Sequence, residues 1–401
     1  TMVVTMDFLP AATTIAQRMA GGLNSFALLA IPLFILSGQL MAQGGIARRL
    51  IEFSKAMIGM VPGGLAFVNV ISCTLFGAIS GSSIAATTAV GSFMIPEMKK
   101  EGYDKNFSAA VTVTSATTGL LIPPSNTLIV YAVASGGVSI AALFVAGYVP
   151  GLMISIATLV VCAIYARRNN MPAGERVSAR VALKYTIAAL PSLFLIVLVI
   201  GGILAGIFTA TEAGAIAVLY ALLLSAVVYR EIDLADIASI CLKAAQTTAV
   251  VMFLIAASIA MSWILAYQNI PTMVAEALVG VSDNPIVILL LINIVLLLVG
   301  IFMDMTPAVL IFTPILLPVA IELGMSPLHF GIMMVLNLCI GLCTPPVGTI
   351  LFVGCALAKT TINRMVRPMI PMYAAMFVVL MLITYIPELS EGLPRFFGLI
   401  D

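Results

Sequence analysis

The sequence predicts an all-α polytopic membrane protein made of two inverted copies of one unit, each holding a re-entrant hairpin and a broken helix. Three observations carry this. The 401-residue chain is 62% hydrophobic and only 9% charged, with mean hydropathy +1.19. Its basic residues gather in a few short loops. Its only two Pro-Pro pairs, Pro123–Pro124 and Pro345–Pro346, lie 222 positions apart inside apolar sequence.

So little charge cannot cover the surface of a soluble domain of this length. Many segments reach the roughly 20 apolar residues that a helix needs to cross a bilayer, and they are too long and uniform for alternating barrel strands. A net charge of +1 gives no electrostatic footprint for nucleic acid. All six cysteines lie in apolar segments and read as small buried hydrophobes. Cys339 and Cys343 share a helix face without a His or carboxylate to complete a metal set, and His329 is the only histidine. No cleavable signal peptide is visible.

Along the chain, ordinary spans are expected at 23–42, 140–166, 185–207, 209–229, 244–267 and 369–387. Amphipathic segments at 8–20, 46–59, 232–243 and 271–281 read as interfacial arms. Lys and Arg mark the cytoplasmic side of short loops. They group as Arg48, Arg49 and Lys55; Lys99, Lys100 and Lys105; Arg167, Arg168, Arg176, Arg180 and Lys184; Arg230 and Lys243; and Lys359, Arg364 and Arg367. These are sixteen of the 18 basic residues, and loops 133–139, 268–284 and 322–329 hold none. The pattern closes only if 63–95 enters and leaves from the cytoplasm. Segment 286–321, flanked by Asp283 and Glu322, must do the same from the other side.

The 222-residue offset extends past the prolines. Gly119 maps onto Gly341, Thr127 onto Thr349, and Pro96 with Gly102 onto Pro318 with Gly324. Residues 1–168 therefore form the first repeat, with hairpin 63–95 and broken helix 106–135. Residues 169–208 supply a cytoplasmic loop and a connecting scaffold helix. Residues 209–401 form the second repeat, with hairpin 286–321 and broken helix 330–358. Charge puts the copies in opposite orientations, the arrangement in which secondary transporters build midplane sites from discontinuous helices. The offset also places the partner of helix 209–229 before residue 8, so most of one transmembrane helix is expected to be missing from the amino terminus.

A Pro-Pro pair removes two backbone donors and frees carbonyls one turn earlier. In hydrocarbon each unpaired group costs several kcal/mol, so such a break survives only where protein or ligand satisfies it. Freed carbonyls at Gly119–Ile122 and Gly341–Thr344 suit an alkali cation. The half-helices that follow favour an anion at their amino-terminal ends. The hairpin tips add Ser80, Ser82 and Ser83 with carbonyls near Ala78, and Asp304 and Thr306 with carbonyls near Gly300. Asp304, ionisable at membrane depth, is the sharpest individual candidate. Ser125, Asn126, Thr127 and Thr349 follow the breaks. Glu212 instead has the spacing of a capping box with Thr209, opening helix 209–229.

Together "LLAIPLFILSGQLM" (28–41), "GAISGSSIA" (77–85), "GLLIPPS" (119–125), "FTATEAGAIAVLYAL" (208–222), "DMTPAVLIFTPILLP" (304–318) and "GLCTPPVG" (341–348) resemble the large, DctM-like membrane subunit of tripartite ATP-independent periplasmic (TRAP) transporters. The resemblance implies an elevator-type fold of the ion-transporter superfamily, with 63–135 and 286–358 as transport domain and the remainder as scaffold. It implies coupling to Na+ in the bacterial inner membrane, a small four-helix membrane subunit and a periplasmic substrate-binding protein. By motif position, one sodium site would use carbonyls around Ala78, Gly119, Ile122 and Pro124. The other would use Gly300, Gly341, Thr344 and Val347. Ala78 and Ala210 depart from the Ser and Pro often found there, and the first change leaves that site dependent on backbone oxygen.

The function expected is import of a small organic acid, with sialic acid and C4-dicarboxylates both open. The rival reading is an ion channel with a Ser/Thr-lined hairpin filter, against which the absence of a charged pore ring argues. An intramembrane enzyme lacks a metal triad or a nucleophile–base pair.

Overall fold

The computed structural model describes residues 7–171, 173–174, 177–282 and 284–400. Arg176 and Asp283, used above as charge markers, lie outside them. Regular structure among the described residues is helical, and eight helices are long and apolar enough to cross a membrane.

Each repeat follows one order. In the first, α1 (Phe8–Leu23) leads through a short turn to α2 (Ala30–Gln43) and the arm α3 (Ile46–Ile58). Hairpin α4 (Gly64–Ser80) and α5 (Ser83–Lys100) follows. The broken helix is α6 (Lys105–Ala116) and α7 (Asn126–Ala134), and α8 (Ile140–Arg168) closes the unit. The connecting helix is α9 (Ala179–Leu204). The second repeat runs α10 (Ala210–Leu222), α11 (Leu234–Tyr267), arm α12 (Ile270–Val279), hairpin α13 (Pro285–Phe302) and α14 (Met305–Glu322), broken helix α15 (Pro327–Leu342) and α16 (Thr349–Ala358), then α17 (Ile362–Tyr385) and α18 (Glu388–Phe396).

Local chemistry sets these boundaries. Thr209 accepts from the Glu212 amide while the Glu212 carboxylate accepts from the Thr209 amide, the capping box expected at the start of α10. Asp104 and Ser326, 222 apart, cap α6 and α15. Both hairpins turn at the same register, α4 and α13 ending at Ser80 and Phe302. One expectation is corrected. The arm at 232–243 and the span at 244–267 are a single 34-residue helix, α11, because neither Gly nor Pro interrupts it. Its counterpart in the first repeat breaks between α1 and α2, where Gly21, Gly22 and Asn24 stand. Cys241 is a second correction: it lies on the exposed face of α11, whereas the other five cysteines meet expectation or nearly so and pack inside.

Two groups of helices emerge from the packing. Hairpins and broken helices pack together, with α8 and α17 against α6 and α15. The rest centres on α2 with α10 and α11, and α9 against α3. By length the 18-residue legs of the second hairpin could cross a bilayer. They are instead re-entrant, since their tip meets the helix breaks described below.

Glycines permit that meeting. A Cβ on Gly119 would lie 2.5 Å from the Gly77 Cα, and one on Gly341 would lie 2.6 Å from the Gly300 Cα. Each hairpin therefore touches its broken helix backbone to backbone, as the repeat requires. Gly119→Ala is expected to cost about 1–3 kcal/mol through overpacking, read as a lower melting temperature of the purified protein in detergent. Gly21→Ala, with nothing within 4 Å of the new methyl, should not lower it.

Candidate functional site

Four helices begin at one place. Ser82 starts α5, its hydroxyl accepting from the Ala85 amide at 3.3 Å. Ser125 starts α7 and accepts from the Leu128 amide at 3.4 Å. Asp304 and Gly348 occupy the same position before α14 and α16. The first turns of all four border a cavity of about 200 Å³ between the hairpin group and helices α2 and α11. Each start exposes unpaired amides and the positive end of a helix dipole.

Helix ends reach it as well: Ser80 at the end of α4, Leu342 at the end of α15 and Leu120 at the end of the short turn after α6 line the cavity, and α13 ends at Phe302, two residues before Asp304. In the first hairpin the ladder stops with the Gly81 amide on the Gly77 carbonyl (2.8 Å), and in the second with Met303 on Val299 (2.9 Å). The next amides belong to Ser82 and Asp304, which are extended. The carbonyls of Ala78 and Gly300 are thus left beyond the ladder, 222 residues apart.

The breaks partly satisfy themselves. Both Pro-Pro bonds are cis. The Ser125 hydroxyl donates to the Leu120 carbonyl at 2.5 Å. In the second break the Thr344 amide donates to Gly341 (2.8 Å), its hydroxyl donates to Ile340 (2.7 Å), and Tyr373 donates to Cys343 (2.5 Å). The Gly341 carbonyl is thus already engaged by the Thr344 amide, and the Cys343 amide is directed at it too. The carbonyls of Leu342 and Thr344 both lie 3.0 Å from the position of a Cβ on Gly348, and the Pro124 carbonyl lies 2.6 Å from one on Gly81. Hard backbone oxygens at tip and break are the donor type an alkali cation needs, so the residues present fit Na+ as cargo.

Eight of the nine residues expected to face substrate line the cavity: Ser80, Ser82, Ser83, Asn126, Thr127, Asp304, Thr306 and Thr349. Ser125 does not; it is fully buried and spends its hydroxyl on the cap and on Leu120. Asp304 is exposed to the cavity, is the lining's one ionisable side chain among the described residues, and accepts from the Thr349 hydroxyl at 3.3 Å. The Oδ1 of Asn126 is buried without a donor. Sequence reasoning missed Gln39 and Thr247, which close the cavity from α2 and α11. Polar residues on otherwise apolar helices were the available signal. Gly81 and Gly348, against which the Pro124, Leu342 and Thr344 carbonyls of the breaks lie, were also missed as site residues.

Of the sodium-site expectations, Gly119 and Ile122 are buried in the first break and Val347 is half-buried in the second.

The family model described as "Tripartite ATP-independent periplasmic transporter, DctM component" matches residues 1–389. A Salmonella typhimurium protein named YgiK is 52% identical over 388 residues, covering 97% of this chain and 89% of its own length. The C4-dicarboxylate TRAP transporter large permease protein DctM of Pseudomonas aeruginosa is 42% identical, covering 93% and 87%. The sialic acid TRAP transporter large permease protein SiaM of Vibrio cholerae is 38% identical, covering 95% and 89%. Among solved structures, the YdaH transporter of Alcanivorax borkumensis superposes with TM-score 0.63 at 14% identity, covering 95% of this chain and 88% of that one. Neisseria gonorrhoeae MtrF superposes with TM-score 0.65 at 12% identity, covering 95% and 85%. At such identities these two show a shared membrane-transporter fold.

Ser125→Ala removes a helix cap, worth about 1 kcal/mol, and leaves the Leu120 carbonyl unpaired. A melting temperature several degrees lower in detergent is expected, with the elution profile unchanged.

Proposed function

The chain belongs to the DctM component family of tripartite ATP-independent periplasmic transporters, and from that premise we propose that it is the large permease subunit of a sodium-driven importer of a small organic acid. The observation that carries the proposal is the meeting of four helix starts at one cavity, with the ends of α4 and α15 beside them. The starts suit a carboxylate, each contributing about 0.3–1 kcal/mol and more where water is excluded. The ends suit a cation. A site with both polarities side by side can load Na+ and an organic anion together, each lowering the electrostatic cost of the other.

The relatives' names specify a C4-dicarboxylate and sialic acid, and a carboxylate is common to both. We assign this chain an acid of that class. Asp304 would reject a second carboxylate placed beside it and accept a hydroxyl or amide proton, so it orients the substrate's neutral end. One Na+ would sit at each junction of tip and break, near Ala78 with Pro124 and near Gly300 with Thr344.

Transport would proceed by an elevator motion of the hairpin group against α2 and α11. We include α8 and α17 in the moving group, beyond the bounds at 135 and 358 expected from the sequence, because they pack on α6 and α15. The membrane is the bacterial inner membrane. The partners are a small four-helix membrane subunit and a periplasmic binding protein that delivers the acid. Apolar side chains on the outer face of α9, among them Leu183, Ile187, Leu190 and Phe194, are exposed and available to lipid or to that subunit. Membership in a transporter family weighs against the channel reading.

Reconstitution in liposomes with the small subunit and the binding protein tests this. Uptake of the acid that the binding protein retains should require an inward Na+ gradient and should fail without the binding protein. Asp304→Asn should lower uptake about tenfold, the effect of weakening a hydrogen bond to a charged group, with expression intact. Uptake that ignores both sodium and the binding protein would overturn the proposal.

A further inference from the structure

A second cavity of about 820 Å³ adjoins the first and shares Gln39, Ser82 and Thr247 with it. It runs out to Arg48 and Lys243, toward the side on which the chain carries its basic residues. Helical spacing builds its walls. Gln39 and Gln43 lie one turn apart on α2, and Thr247 and Lys243 one turn apart on α11. Each helix thus offers one polar group to the inner cavity and a second further out. The opposite wall, on α5, is uncharged and continues with Thr88 and Ser92.

The charges here are not equivalent. Glu231 is the one carboxylate in the lining among the described residues, and Arg49 holds it at 2.8 Å while stacking on Tyr229 at 3.6 Å. Arg48 bonds Glu52 at 3.1 Å. Lys243 is exposed, and among the described residues no carboxylate lies within ion-pair distance of it. It is the sole basic residue of α11, and it lines the cavity.

We infer that Lys243 is an anion-binding station on the release path, a site where the carboxylate of the departing substrate is held after it leaves the helix starts. This deepens the reading of the central cavity as an organic-acid site and rests on it. Among the described residues that cavity is lined by Asp304 and no cationic side chain, so a carboxylate leaves it toward rising positive potential. Thr247 and Lys243 are one turn apart, about 6 Å along the helix, within the Debye length of about 8–10 Å, so salt does not erase that gradient. Gln39, Gln43 and Thr247 supply neutral hydrogen bonds between the two stations.

The test uses inside-out membrane vesicles carrying the full permease with its small subunit. The exposed Cys241 is replaced by Ser, and Ser92→Cys provides a reporter on the uncharged wall. Anionic 2-sulfonatoethyl and cationic 2-(trimethylammonio)ethyl methanethiosulfonate label it in parallel. Lys243→Gln should lower the anionic-to-cationic rate ratio about fivefold, while Lys243→Arg should preserve it. Millimolar succinate should slow labelling when Lys243 is present and not in Lys243→Gln, and neutral succinamide should never slow it. An unchanged ratio, absent protection by succinate, or protection that survives Lys243→Gln would each overturn the inference. Labelling needs neither a gradient nor the binding protein. Failure of sodium-driven uptake with a normal labelling pattern would therefore strike the transport reading and not the station.

Discussion

Unpaired backbone groups in hydrocarbon cost several kcal/mol each, and this chain gathers its unpaired helix ends in one place. Two hairpins stop at mid-depth and two helices rupture beside them. Glycines at 77, 119, 300 and 341 bring the backbones into contact there. What would be four separate defects gathers around one cavity whose lining includes Ser, Thr and Asn. The rest of the structure follows from keeping those ends together. The continuous helices α8 and α17 brace the broken ones, and α2 with α11 covers the opening.

Helix polarity then divides the chemistry. On the proposed reading amino-terminal ends would offer amides to an anion and carboxy-terminal ends carbonyls to a cation, with no lysine or arginine in the lining among the described residues. A charged side chain would bind an anion more tightly, but it would have to be neutralised whenever the site was empty. Helix ends are weaker and are satisfied by water, which suits a site that must both load and release. The asymmetry between copies is small but concrete. Ser125 satisfies the first break, whereas Thr344 and Tyr373 satisfy the second, where Val347 stands at the position equivalent to Ser125.

Much of this was legible in the sequence because inverted repetition doubles every signal. The paired prolines, the tip residues 80–83 and 302–305, and the caps Asp104 and Ser326 all recur at one offset, so chance placement of any one mattered little. What escaped was the part without a repeat partner. Gln39 and Thr247 are isolated polar residues on apolar helices, and spacing alone cannot say whether such a residue faces lipid, core or cavity. The merging of 232–243 with 244–267 into α11 escaped for another reason. A polar first third and an apolar remainder look like two elements until the lack of a breaker residue is given more weight than composition. Ser125 misled because a hydroxyl beside a break can serve either the ligand or the cap, and only the Leu120 carbonyl at 2.5 Å decides.

The claim at the centre is that carbonyls at the two tip–break junctions form cation sites. The most direct measurement is the melting temperature of the purified permease complex, titrated with NaCl against KCl at constant ionic strength. A ligand that binds only the folded state adds RT ln(1 + [L]/Kd) of stability. The account requires a saturable rise with Na+ that K+ does not reproduce, reduced when a bulky residue replaces Gly300. Identical melting in the two salts across the titration would contradict it.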